Sequence, residues 1–167
     1  MNLPKAIEQV LADLIRSNAA VGPGVIFRPW QTLQADNNWD ASVDRIFPLI
    51  DIRCSAPTTA DNQVARSVEC AVLLGTNADD DRDHAFISNM FEEVHQFLDQ
   101  LFIQFRAGNF DAEPLASFVE GTQALVGGAS RFRFGGLTFG AGMEPYDDGG
   151  INMLGITLEV HYSRDDI

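Results

Sequence analysis

Positive charge is what this chain has least of. It carries 11 Lys and Arg against 24 Asp and Glu, a formal net charge of −13 at pH 7. Such a balance repels polyanions, which excludes roles that depend on gripping DNA or an anionic membrane. Arg28, Arg45, Arg53, Arg131 and Arg133 are scattered and form no basic stripe. Long apolar runs are missing as well. Apolar residues make up 46% of the chain, yet none of their runs approaches the roughly 20 residues of a membrane span. The opening MNLPKAIEQVLADLIRSN interleaves charged and apolar residues and lacks the apolar region of a secretory signal. Folding in a cytoplasm, with no membrane partner, is the expectation.

What is present is the composition of one packed core, and residues 1–167 are expected to form a single domain. The strongest pattern is a helix over Phe86–Arg106. At 100° per residue, Phe86, Ile87, Met90, Phe91, Val94, Phe97, Leu98, Leu101, Phe102 and Phe105 share one broad face. Asn89, Glu92, Glu93, Gln96, Asp99 and Gln100 share the other. Such a helix is made to lie across a sheet. An earlier helix is expected over Pro4–Asn18, with proline in its first turn and Gly22-Pro23-Gly24 ending it.

Strands are expected at Val25–Phe27, Ile46–Cys54 and Arg66–Leu74; Phe132 and Phe134 then alternate with Arg131 and Arg133 as in a strand, followed by Gly135-Gly136, which suggests a bulge or bend, and Leu137–Phe139. The clearest alternation closes the chain: Leu154, Ile156, Leu158, Val160 and Tyr162 against Gly155, Thr157, Glu159 and His161. Trp30–Asp44 reads as a long polar loop, and Glu113–Leu125 is a candidate short helix. The expected class is α+β, a mainly antiparallel sheet with an N-terminal helix and one long central helix packed on it.

If 46–54 and 66–74 form a hairpin, facing residue numbers are expected to sum to about 122. Cys54 would then face Val68, Cys70 would face Ile52, and both thiols would stay reduced and buried. The same register sets Arg53 against Glu69 and Leu49 against Leu73. An apolar Leu49–Leu73 pair on the second face suggests that something covers it, a second subunit being one candidate.

Chemistry is harder to find. Asp79-Asp80-Asp81-Arg82-Asp83 lacks the spacing and the terminal Glu of a calcium loop, and it precedes a helix, where Asp serves as a cap. Asp147-Asp148-Gly149-Gly150 reads as a turn between strands. Glu92 and His95 have Glu-x-x-His spacing, but carboxylate-bridged metal sites need a second such motif. His84 and His95 lie roughly 16 Å apart along a helix axis, too far for one ion. His161 faces outward with no obvious partner. Both cysteines fall on core faces, away from any base, and Gly135, Gly136, Gly140 and Gly142 lack phosphate-loop spacing. No catalytic, cofactor or metal residue is assigned. Ile103, alone among polar neighbours on the back of the long helix, hints at assembly.

The order of elements, the strand pair PLIDIRC…VECAVLL, the acidic turn leading into FISNMFEEVHQFLDQLF, and the closing LGITLEVHY resemble the tail terminator proteins of long-tailed bacteriophages. The likeness covers most of the chain as order and pattern, with no invariant motif, and 107–130 is longer than the family pattern. It implies a non-enzymatic virion protein of the tail or neck, assembled in the host cytoplasm. Members form a ring, usually a hexamer, that caps the tail tube, ends its polymerisation and joins it to the head. The implied partners are copies of itself, the tail tube protein and a head-completion or neck protein, while DNA passes the lumen without specific binding. Asp79, Asp80, Asp81, Asp83, Asp147 and Asp148 are candidates for an acidic lumen. Trp30, Trp39, Leu49, Leu73, Ile103 and Phe110 are candidates for subunit or partner contacts. The competing expectation is a small-molecule- or metal-binding α+β regulatory protein.

Overall fold

A computed structural model describes residues 1–22, 24–29, 47–55, 58–59, 65–127, 132–139, 146–147 and 150–164. The elements are α1 (Leu3–Asn18), β1 (Ile26–Pro29), β2 (Leu49–Cys54), β3 (Thr58–Thr59), β4 (Ala65–Asn77), α2 (Ala85–Arg106), α3 (Leu115–Val126), β5 (Phe132–Phe139), β6 (Tyr146–Asp147) and β7 (Ile151–Arg164). The class is α+β. The sheet runs β1-β2-β4-β7-β5, with β3 added to β4 and β6 to β7. It is mixed rather than mainly antiparallel, because β1 joins β2 in parallel. A four-residue strand carries no sign of its direction in its sequence. Among the described residues no helix is long and apolar enough to cross a membrane.

Alternation assigned the faces correctly. Ile50 and Ile52 of β2, Val68, Cys70, Val72 and Leu74 of β4, and Leu154, Ile156, Leu158, Val160 and Tyr162 of β7 form one core with α1, α2 and α3. From α2, Ile87, Met90, Val94, Phe97, Leu98 and Leu101 are buried there. Phe91, Phe102 and Phe105 are partly buried, whereas Phe86, expected on the core face, is 36% exposed. Asn2 caps α1 by accepting from the Lys5 amide at 3.0 Å. Buried Glu8 ties α1 to β2, its Oε1 accepting from the Cys54 amide at 2.8 Å.

The short helix expected within Glu113–Leu125 is α3, a third helix that packs chiefly on α1 and also meets α2. Pro114 gives it no side-chain cap. Gln104 of α2 substitutes: its Oε1 accepts from the Leu115 amide at 3.0 Å and its Nε2 donates to the Glu113 carbonyl at 2.7 Å. Where a bulge or bend is expected at Gly135-Gly136, the pairing with β7 shifts register between Phe134 and Gly136.

The strand-pair register differs from expectation by two residues. Cys54 faces Cys70 and Ile52 faces Val72. An even displacement leaves every side chain on its face, so the core was right while each cross-strand pair was wrong. The cysteines are therefore neither apart nor reduced: their Cα atoms are 4.1 Å apart and their sulfurs form a disulfide. Arg53 faces Ala71 instead of Glu69, and its Nε donates to Asp51 Oδ2 at 3.2 Å along the same strand. Leu49 faces Gly75, and Leu73 faces Asp51. The chemistry of the cysteines is directly checkable. Protein unfolded in urea without reductant is expected to take up no iodoacetamide, and to take up two equivalents after reduction. Uptake before reduction would contradict the bridge.

Candidate functional site

The acidic turn leading into α2 folds around one carboxylate. His84 stands at the helix boundary in the left-handed conformation, with φ 59° and ψ 17°, and its side chain makes no cap. That bend lets Asp81 reach over the helix end. Its Oδ1 accepts from the Phe86 amide at 2.9 Å, and its Oδ2 from the Ile87 amide at 3.1 Å and the Thr76 hydroxyl at 2.8 Å. The Asn152 side-chain amide donates to the Asp81 carbonyl at 2.7 Å. Thr76 and Asn152 are themselves cross-strand partners of β4 and β7. All three side chains are buried, Asp81 being only 5% exposed. Burial raises the Asp81 pKa, but the Phe86 amide, the Thr76 hydroxyl and the Ile87 amide outweigh it and hold the group below the usual aspartate value.

Capping was therefore the right reading of this turn, and Asp83 adds a bond from the Ala85 amide to its Oδ1 at 3.2 Å. Asp81, however, faces inward and cannot line a lumen. Asp79, Asp80 and Asp83 are exposed. The register brings the second acidic candidate to the same place, since Asp147 pairs with Asn152 and the Ala78 amide donates to the Gly150 carbonyl at 2.9 Å. One end of the sheet thus collects both acidic segments. Asp148 lies outside the described residues, as do Trp30, Trp39 and the 30–44 loop.

Beside this turn lies a groove of about 200 Å³ lined by Phe47, Pro48, Thr76, Asn77, Asp80, Asp81 and Phe86. It is smaller than a typical cofactor or drug-sized pocket. Phe47 also rests on the second face of the sheet: a Cβ added at Gly75 would sit 3.1 Å from its ring. Leu49 and Leu73 lie on that face with Ile151 and Met153. Sequence reasoning singled out neither Phe47 nor Pro48. Phe86 was missed as a surface residue because the assigned apolar face was wider than the buried one. The helical period smears a residue in the first turn into the core stripe.

At the far end of α2, Ile103 is 57% and Phe110 is 45% exposed. Phe110 packs edge-on against Phe105 at 5.7 Å between ring centres. These two contact candidates sit away from the acidic turn, so the structure does not gather the candidates into one surface. Other expectations resolve singly. His95 stacks tilted on Phe91 at 5.5 Å. His161, expected to lack a partner, has its Nε2 3.5 Å from Glu159 Oε1. Among the described residues no group of three or more His, Cys, Asp or Glu is placed to hold a metal ion.

No protein-family model matches this chain, and no curated protein sequence matches it at a significant level.

Proposed function

We propose that this chain is a non-enzymatic subunit of a long-tailed bacteriophage virion, a tail terminator whose copies close into a ring, usually a hexamer. The ring caps the tail tube, stops its growth and presents a surface to a head-completion or neck protein. The observation that carries this reading is the gathering of acid at one end of the sheet, where the 79–83 turn lies beside the pairing of Asp147 with Asn152. A subunit with one acidic end can turn that end toward a channel through which DNA slides, because like charge prevents sticking. The order of elements, from N-terminal helix through strand pair and long helix to closing strand, further supports it.

Asp79, Asp80 and Asp83, all exposed, are the lumen candidates that remain with Asp147. Lysine at Asp79 and Asp83 should slow DNA passage while rings still assemble. Phage carrying both substitutions is expected to lose infectivity with tails of normal length. Normal infectivity would sink the lumen assignment. Capping itself is read from tube length: tube subunits polymerised with this protein should stop at a bounded length, and unchanged lengths would reject the reading.

A further inference from the structure

The two sulfurs of the Cys54–Cys70 bridge stand in unequal surroundings. Cys54 faces Cys70 across β2 and β4, and Leu158 of β7 faces Cys70 from its other side. Cys70 and Leu158 have no exposed surface, whereas Cys54 is only partly buried. The pairing of β1 with β2 ends at Pro29 and Ile52, two residues short of Cys54. Beyond that point the Cys54 amide donates to the Glu8 carboxylate of α1 at 2.8 Å instead of to a strand.

A thiolate that breaks a disulfide enters opposite the sulfur that leaves, so access decides which sulfur is attacked. Attack on Cys70 would have to come from the β7 side, through buried Leu158. Attack on Cys54 comes from the side away from β4, past the end of β1. We propose that the bridge is a thiol-exchange site at which a small thiol is joined to Cys54, with Cys70 as the leaving sulfur. The bond from the entering sulfur to Cys54 Sγ forms as the bond between the two cysteines breaks. Cys70 departs with the electron pair and takes a proton from water, and Cys54 is left as a mixed disulfide. The small thiol is the only co-reactant, and Cys70 reverses the step by attacking Cys54 and expelling it. The net charge of −13 and the Glu8 carboxylate at this edge favour a cationic aminothiol over an anionic thiol. The proposal stands independently of the ring-forming reading.

Cysteamine, applied to the folded full chain and followed by iodoacetamide uptake, tests it. Opening should be as fast in low urea as in none, because no unfolding is required. An opening rate that climbs with urea in step with global unfolding overturns the proposal. Peptide mapping after an acid quench should place the first mixed disulfide on Cys54, and finding it on Cys70 overturns the proposal as well. The single-cysteine variants Cys70→Ala and Cys54→Ala are then exposed to cystamine, with circular dichroism to check folding. Cys54 should be modified at least about tenfold faster than Cys70 in the folded state, and at a similar rate in strong urea. Equal rates in the folded state overturn the assignment; should a variant fail to fold, the urea dependence of the wild type decides. Cysteamine should also open the bridge faster than mercaptoethanesulfonate, each rate divided by its rate on a neutral small disulfide. Equal or reversed rates reject the cationic preference.

Discussion

Phe118→Ala is expected to lower the unfolding free energy by about 4 kcal/mol, as for other buried aromatic truncations. Phe118 is fully buried and lies in the first turn of α3, the helix that packs chiefly on α1. Leu115 and Phe118, both with no exposed surface, anchor it in the core, and Val119, Leu125 and Val126 pack against that core from the same helix. At Gly121 the two helices run near one another, and a Cβ there would make an ordinary van der Waals contact with Val10 of α1 at 3.4 Å. Deleting the ring leaves a cavity that the surrounding helices fill only in part. Urea unfolding followed by circular dichroism should show the full loss with an unchanged slope. A loss below about 1 kcal/mol would place α3 outside the cooperative core.

The second large effect is expected at Asp81. Asp81→Ala removes the acceptor of two helix amides and of the Thr76 hydroxyl, all near or within the core. Charge-assisted caps and stranded donors together put the cost at about 3 kcal/mol. Asp81→Asn keeps an acceptor and loses less. The sign of its pH dependence follows from the lowered pKa. A carboxylate depressed in the folded state contributes stability above its unfolded pKa of about 3.9, and loses it as pH falls through the folded value. The gap between wild type and Asp81→Asn should therefore be constant near neutrality and narrow below about pH 4. A gap that widened in acid would mean that the carboxylate is strained rather than held.

Those two sites mark where the sequence was legible and where it was not. The faces of β2, β4 and β7 could be read because a strand alternates strictly, and Val68, Cys70, Val72 and Leu74 have nowhere else to point. The register could not. Ten residues separate Cys54 from Ala65, too many for sequence length alone to pin the pairing, so Cys54 and Cys70 were set past each other although they are partners. α3 was legible only as a candidate, since Gly121, Thr122 and Val126 blur its periodicity and its cap comes from Gln104, on another helix. The acidic turn was recognisable as a cap. Which aspartate does the work depended on the left-handed His84, which lets Asp81 act five and six residues ahead. The groove was invisible because it joins Phe47 and Phe86, 39 positions apart in sequence.

The proposed ring-forming tail component is best examined in negative-stain images of the purified protein, alone and mixed with tail tube subunits. Rings of about six subunits, seated on tube ends when tubes are present, are the predicted result. A monomer that carries stoichiometric metal and leaves the tube ends bare would contradict it.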